Sequence, residues 1–300
     1  MKRKLLSFVQ RKFFSLAGFP LPSGSADIVH HESSKFSTFN VLRSFPGFIP
    51  YSAGTYEQRA SLAIGSVKNT FSSLANLGEF AREDLIPIEI GLPEWDMDDC
   101  GQEELAELFD SYGSDKSTRH NYHHLYAYLL KDRNTISKIL EIGLGTNNVN
   151  VVSNMTAAGR PGASLRAFSD FCPNAQIFGA DIDQDVLFSE GRIKTFFLDQ
   201  LEPQTFEGLH RNCGDNFDLI IDDGLHSPDA NINSLVACFK LLKVNGWLVV
   251  EDIGYDAVDI WRVVASMMAL KGHRAVIFQS KSVNPKKKGA IVFAVQRVFS

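Results

Sequence analysis

Residues 217–226 read Phe-Asp-Leu-Ile-Ile-Asp-Asp-Gly-Leu-His, and residues 247–252 read Trp-Leu-Val-Val-Glu-Asp. Each is a short apolar run that stops at acids. Between them Ser227 stands as an N-cap, Pro228 at the first helical position, and Ile232, Leu235, Val236 and Phe239 on one face, with Gly246 expected to close the helix. Strand, capped helix and strand in that order predict a parallel pair with a helical crossover. Such a pair brings Asp223, Glu251 and Asp252 to one rim.

The same alternation extends on both sides. Further strands are expected at Lys138–Ile142, Gln176–Ile182 and Ile193–Leu198, and a terminal pair at Arg274–Gln279 and Ala290–Val298. Helical spacing is carried by Leu105, Leu108, Phe109 and Tyr112, by Tyr122, Leu125, Tyr126, Leu129 and Leu130, and by Ile260, Val263, Val264, Met267 and Met268. The expected fold is α/β: a Rossmann-like, mostly parallel seven-stranded sheet with helices on both faces and one antiparallel strand, over residues 101–300. Residues 1–100 read as an N-terminal accessory region serving as a lid, an oligomer contact or a membrane-surface contact. From residue 20 to 100 it is punctuated by Pro20, Pro22, Pro46, Pro50, Pro87 and Pro93, yet Phe36, Phe39, Phe45, Phe48 and Tyr51 are too aromatic for a disordered tail.

Composition narrows the function. The 300 residues are 44% hydrophobic, enough for a large core without staples. With 30 basic against 35 acidic side chains, the net charge of −5 disfavours a surface that grips nucleic acid. Cys100, Cys172, Cys213 and Cys238 are scattered, so a reducing, cytoplasmic setting is expected rather than a disulfide framework. No apolar run is long enough to span a membrane. Lys2, Arg3, Lys4, Arg11 and Lys12 alternate with apolar residues near the start, which makes residues 1–20 a candidate peripheral membrane contact or a targeting segment; a solvated helix is the plain alternative.

Open α/β sheets hold ligands at the carboxyl ends of their strands. The first strand ends in Glu141-Ile142-Gly143-Leu144-Gly145-Thr146, where glycines let a ligand approach the backbone. A third glycine for dinucleotide binding is missing, since Asn148 stands there, and there is no P-loop. The second strand runs into Asp181-Ile182-Asp183 and the third into Asp199-Gln200. Asp181 is placed for ribose hydroxyls, Asp199 and Gln200 for an adenine amino group. Taken singly, each is as easily a solvated strand-end acid. Asp223, Glu251 and Asp252 would repel one another unless a cation offsets their charge, and oxygen ligands suit Mg²⁺. His226, three residues past Asp223, is within reach of a metal-held hydroxyl proton.

At these residues the sequence resembles the class I S-adenosylmethionine-dependent methyltransferases, and within them the metal-dependent O-methyltransferases of macrolide deoxysugars. The resemblance runs over residues 109–300. It is carried by Tyr112-Gly113-Ser114-Asp115-Lys116, His120-Asn121-Tyr122, Glu141-Ile142-Gly143, Gly162-Ala163-Ser164-Leu165-Arg166, Gly179-Ala180-Asp181-Ile182-Asp183, Asp199-Gln200, Asp222-Asp223-Gly224-Leu225-His226 and Glu251-Asp252. It implies a methyl transfer to a sugar hydroxyl, with S-adenosylmethionine and Mg²⁺ as cofactors. Glu141, Gly143 and Ser164 would lie by the methionine moiety, with Asp181 at the ribose and Asp199 and Gln200 at the adenine. Asp223, Glu251 and Asp252 would bind the metal, His226 would be the general base, and His120 and Tyr122 would meet the acceptor. The partner implied is a small-molecule or glycan acceptor, with self-association expected as well. Ser117 and Asn121 stand where this pattern has glycines. Two rivals are a non-catalytic scaffold of the same fold and an NAD-dependent oxidoreductase.

Overall fold

The computed structural model describes residues 42–43, 45–51, 53–78, 100–280 and 289–299. The basic segment 1–26 and the lysines at 281 and 286–288 lie outside the described residues, as do Phe36 and Phe39. Helix α1 spans Tyr56–Gly78, α2 Gln102–Tyr112 and α3 Tyr122–Leu129. Then β1 (Lys138–Ile142), α4 (Ala163–Phe171) and β2 (Gln176–Asp181) follow, with a two-residue β3 (Ser189–Glu190) before β4 (Ile193–Phe197). Beyond them come α5 (Gln204–Cys213), β5 (Phe217–Asp222), α6 (Pro228–Cys238), β6 (Leu242–Ile253), α7 (Val258–Leu270), β7 (Arg274–Gln279) and β8 (Ile291–Gln296).

One sheet holds all eight strands in the order β3-β4-β2-β1-β5-β6-β8-β7. Strands β4, β2, β1, β5 and β6 run parallel, and β8 enters antiparallel between β6 and β7. The eighth strand, beyond the seven expected, is β3, a short antiparallel edge on β4. Two residues carry no readable period, so it leaves no mark in the sequence. The order turns outward in both directions from β1 and β5, so the crevice lies above their carboxyl ends.

Both faces of the sheet are buried, and alternation assigns each residue to one of two cores. Leu140, Ile220, Leu248, Val250, Phe293 and Val295 pack with α5, α6 and α7; Trp261 of α7 lies 4.9 Å from Phe293, ring to ring. Ile139, Leu219, Ile221, Trp247, Val249 and Val292 pack with α2, α3 and α4 on the other face.

Three local readings change. Gly246 does not close α6, which ends at Cys238 and passes through a short 3₁₀ turn into β6. It lies inside β6, where a Cβ would stand 2.6 Å from the Phe217 carbonyl oxygen, next to a register shift between Phe217 and Leu219. The stretch Gln204–Cys213, given no helix, forms α5. Residues 56–78, read as irregular, form the 23-residue α1. Among its described side chains, the buried ones are Ala60, Ala63, Ser66, Thr70 and Ser73, a helical spacing of small and polar residues that hydropathy does not register. Ser66 donates to Asp229 (2.9 Å) and Ser73 to Asn233 (3.1 Å), fastening α1 to α6.

Candidate active site

The turn between α2 and α3 starts at Gly113, left-handed at φ 81°, and the Lys116 carbonyl then accepts from the Tyr122 amide at 2.7 Å. This turn drives the Lys116 side chain under the carboxyl edge of the sheet, where it is 3% exposed. Its ammonium lies 2.7 Å from Asp223 Oδ2, 2.7 and 2.8 Å from the two oxygens of Glu251, and 3.2 Å from Glu141 Oε1. Those three carboxylates stand at or beside the ends of β5, β6 and β1. Tyr126 also donates to Glu251, and Tyr122 donates to Asp252 Oδ1 at 2.5 Å. His120 stacks on Tyr122 (5.1 Å) and puts Nδ1 3.5 Å from Asp252 Oδ1.

The charges do not balance: one ammonium stands among four carboxylates. Burial alone would lower the Lys116 amine, but Asp223, Glu251 and Glu141 outweigh it and hold it well above the usual lysine range. Burial and the Asp223 charge push Glu251 well up. Burial raises Asp223 too, but Lys116 and His226 overcome that and leave it low. Burial raises Glu141, with Lys116 opposing. Such a cluster favours a further cation.

On the open side of Asp223, its Oδ1 is 3.8 Å from His226 Nε2. Asp223, His226 and Asp252 each offer one ligand atom, all within 4.8 Å of one another. His226 and Asp252 are both left-handed (φ 55° and 52°), as is Asn121 (φ 56°) beside His120. A non-glycine residue in that region costs about 1–3 kcal/mol, a strain that collects at functional sites. The His226 imidazole is 8% exposed, and its Nδ1 has no hydrogen-bond partner among the described residues. The carboxylate oxygens of Asp223 and Asp252 fit a divalent ion of the Mg²⁺ or Mn²⁺ kind, with the His226 imidazole standing beside it.

The cofactor side is built differently. Ser164, near the start of α4, donates to Glu141 Oε2 at 2.5 Å. Asp181 accepts the Leu144 amide (2.7 Å) and the Asp183 amide (2.9 Å), with burial pushing its carboxyl up. Asp199 is half-buried and accepts the Leu201 amide at 2.9 Å. Gln200 is buried: its Nε2 donates to Asp222 Oδ1 and to Ser234 (2.8 Å each), and its Oε1 accepts the Leu225 amide. Its side chain thereby ties the loops after β4 and β5 to α6. Gly143 is demanded by the fold itself, since at φ 94° a Cβ would stand 2.1 Å from the Asp223 carbonyl oxygen. A Cβ on Gly145 would fall 1.9 Å from Met155 Sδ.

The residues given no role in the sequence reading are Lys116 and Tyr126. Lys116 was visible only as part of the Tyr112–Lys116 phrase, and Tyr126 as the next turn of helix after Tyr122.

Fold and site together define a doubly wound α/β protein whose strand-end acids face a cation-seeking crevice. No protein-family profile matches the chain. Its sequence is 32% identical over 165 residues to mycinamicin VI 2''-O-methyltransferase of Micromonospora griseorubida, covering 51% of this chain and 37% of that protein. It is 31% identical over 150 residues to 8-demethyl-8-alpha-L-rhamnosyl tetracenomycin-C 2'-O-methyltransferase of Streptomyces olivaceus, covering 50% and 37%. It is also 32% identical over 124 residues to demethylmacrocin O-methyltransferase of Streptomyces fradiae, covering 40% and 28%. The chain therefore spans well under half the length of these relatives. A solved methyltransferase from the mycinamycin biosynthetic pathway, in complex with Mg and SAH, aligns with a TM-score of 0.43 and 32% identity over 49% of this chain and 36% of that one. The family resemblance read from the motifs reappears in the three sequence relatives, which are O-methyltransferases.

Proposed function

We propose that this chain is an S-adenosylmethionine-dependent O-methyltransferase that uses a divalent metal and acts on a hydroxyl of a sugar in a glycan or glycosylated metabolite. The convergence of Asp223, His226 and Asp252 within 4.8 Å carries the reading, because it puts a base beside two anionic ligands at the crevice. Asp223 and Asp252 would hold Mg²⁺, with Glu251 as the third acid. Glu141, Gly143, Ser164, Asp181 and Asp199 would line the methyl-donor pocket, framed by Gln200. When bound, the donor supplies an electrophilic sulfonium methyl and the metal supplies Lewis acidity toward the acceptor oxygen.

The chain's own residues do the rest. His226 takes the hydroxyl proton at Nε2, the nitrogen that faces Asp223. Asp223 then offsets the imidazolium charge. His120 borders the acceptor, and Tyr122, buried against the His120 ring, keeps its proton because burial and Asp252 push its hydroxyl well up. Holding the hydroxyl in line with the methyl supplies much of the rate, since aligned reactants gain about 7–11 kcal/mol over free encounter.

His226→Ala is expected to bind S-adenosylhomocysteine as the wild type does while turnover falls roughly 10²–10⁴-fold. Calorimetry and a sugar-acceptor assay measure the two, and full retained activity would remove His226 as base. Several further features belong to the same proposal. A reducing, cytoplasmic setting is in keeping with four buried cysteines, with burial pushing the Cys172 and Cys213 thiols up to about 12. Among the described residues no helix is long and apolar enough to cross a membrane. Self-association is read by sedimentation, and a membrane contact through residues 1–20 by liposome partitioning with and without them.

A further inference from the structure

We propose that Lys116 is the positioning residue of the cation site, a built-in cation that holds Asp223 and Glu251 together in the absence of metal and competes with the divalent ion for them. The inference rests on the metal reading above and adds a residue to it. An ammonium has three N–H donors, and Lys116 faces four oxygens of three carboxylates, so its donors are saturated. Asp223 is divided between two neighbours, with Oδ2 on Lys116 and Oδ1 toward His226. Both oxygens of Glu251 are on Lys116, and one also receives Tyr126. Lys116 and Tyr126 occupy three of the roughly four lone-pair sites of Glu251, so an ion beside Asp252 would share Glu251 with the Lys116 charge.

Two opposed effects follow. Lys116 keeps the acids assembled at the crevice, because without it Glu141 and Glu251 would be buried without a counter-charge. Its charge also repels an incoming divalent ion at the next position along Asp223. A lysine that acted only by filling space would leave metal affinity unchanged when its charge is removed.

The test is Mn²⁺ binding to the full chain, by calorimetry and by the electron paramagnetic resonance of free Mn²⁺, with no methyl donor or acceptor present. Lys116→Met keeps the length of the side chain and removes its charge. It is expected to bind Mn²⁺ at least about tenfold more tightly than the wild type, while Lys116→Arg stays within about threefold of it. The metal-free Lys116→Met chain is expected to melt lower, and Mn²⁺ to raise its melting temperature by more than it raises that of the wild type. Equal or weaker Mn²⁺ binding by Lys116→Met overturns the inference while leaving the metal reading in place. If metal-free Lys116→Met does not fold, refolding in Mn²⁺ against refolding in EDTA decides: recovery with Mn²⁺ supports the inference, and no recovery in either overturns it. A wild-type chain that binds no Mn²⁺ removes the metal reading and this inference with it.

Discussion

The two halves of the sheet's carboxyl edge hold their acids in different ways. At β2 and β4, backbone amides do the holding: Asp181 takes those of Leu144 and Asp183, and Asp199 takes that of Leu201. At β5 and β6, side chains far away in sequence do it, with Lys116 on Asp223 and Glu251 and Tyr122 on Asp252. Backbone amides cannot leave, so the first half is a fixed cradle suited to one ligand shape. An ammonium and a phenol sit on side chains with rotatable bonds, as the proposed exchange of one cation for another requires.

The largest effect expected from breaking this contrast is at Asp223, which touches both Lys116 and the His226 side. Asp223→Ala is expected to lower methyl transfer by roughly 10²–10⁴-fold, with added Mg²⁺ restoring only part, while S-adenosylhomocysteine binding persists. Activity indifferent to both the substitution and a chelator would remove the metal from the mechanism. The opposite edge of the sheet supplies a control. There Asp218 accepts from the Ser137 and Lys138 amides (2.8 and 2.9 Å), from the Ser137 hydroxyl and from Lys243. Asp218→Ala is expected to destabilise the fold by about 3 kcal/mol in urea unfolding while leaving cofactor affinity unchanged.

The same acid predicts a pH dependence. Burial raises the Asp218 carboxyl, but the hydrogen bonds from Lys243, Lys138 and Ser137 outweigh it and hold it below the ordinary aspartate value. A folded value below the unfolded one means that its stabilisation is complete above the ordinary aspartate range and is lost as pH falls through the folded value. The wild type is therefore expected to lose more stability than Asp218→Ala as pH falls below the ordinary aspartate value of about 3.9. Parallel acid limbs in the two proteins would refute this.

The smallest effect sharpens the cradle half. Asp181→Asn keeps one acceptor and turns a donor toward one of its two amides, at a cost of about 1–2 kcal/mol. Because the same carboxyl is proposed to face the ribose, adenosylhomocysteine affinity is expected to fall together with stability. A variant that loses stability alone would make Asp181 a loop support and no more.

Much of the fold was legible because its signals are local. Strands β1 and β7 fall at the residues expected, and β2, β4 and β5 within one residue, since a buried parallel strand is an apolar run bounded by turns. Helix α1 was hidden because the buried residues among its described side chains are alanine, serine and threonine, and β3 because it is two residues long. In the site, Asp223, Glu251 and Asp252 could be placed at one rim from strand adjacency alone. That Glu251 turns inward to Lys116 and Tyr126, and that Gln200 spends its side chain on Asp222, Ser234 and Leu225, could not.

The amino-acid sequence by itself determined the strand and helix alternation, the acids at the strand ends and the resemblance that those acids carry. These depend on periodicity and turn chemistry over a few residues. Only the tertiary structure decided which charges meet. Lys116 lies 107 residues from Asp223 and 135 from Glu251 along the chain. It reaches them because the turn after α2 folds over the carboxyl ends of β5 and β6, a closure that no local pattern encodes.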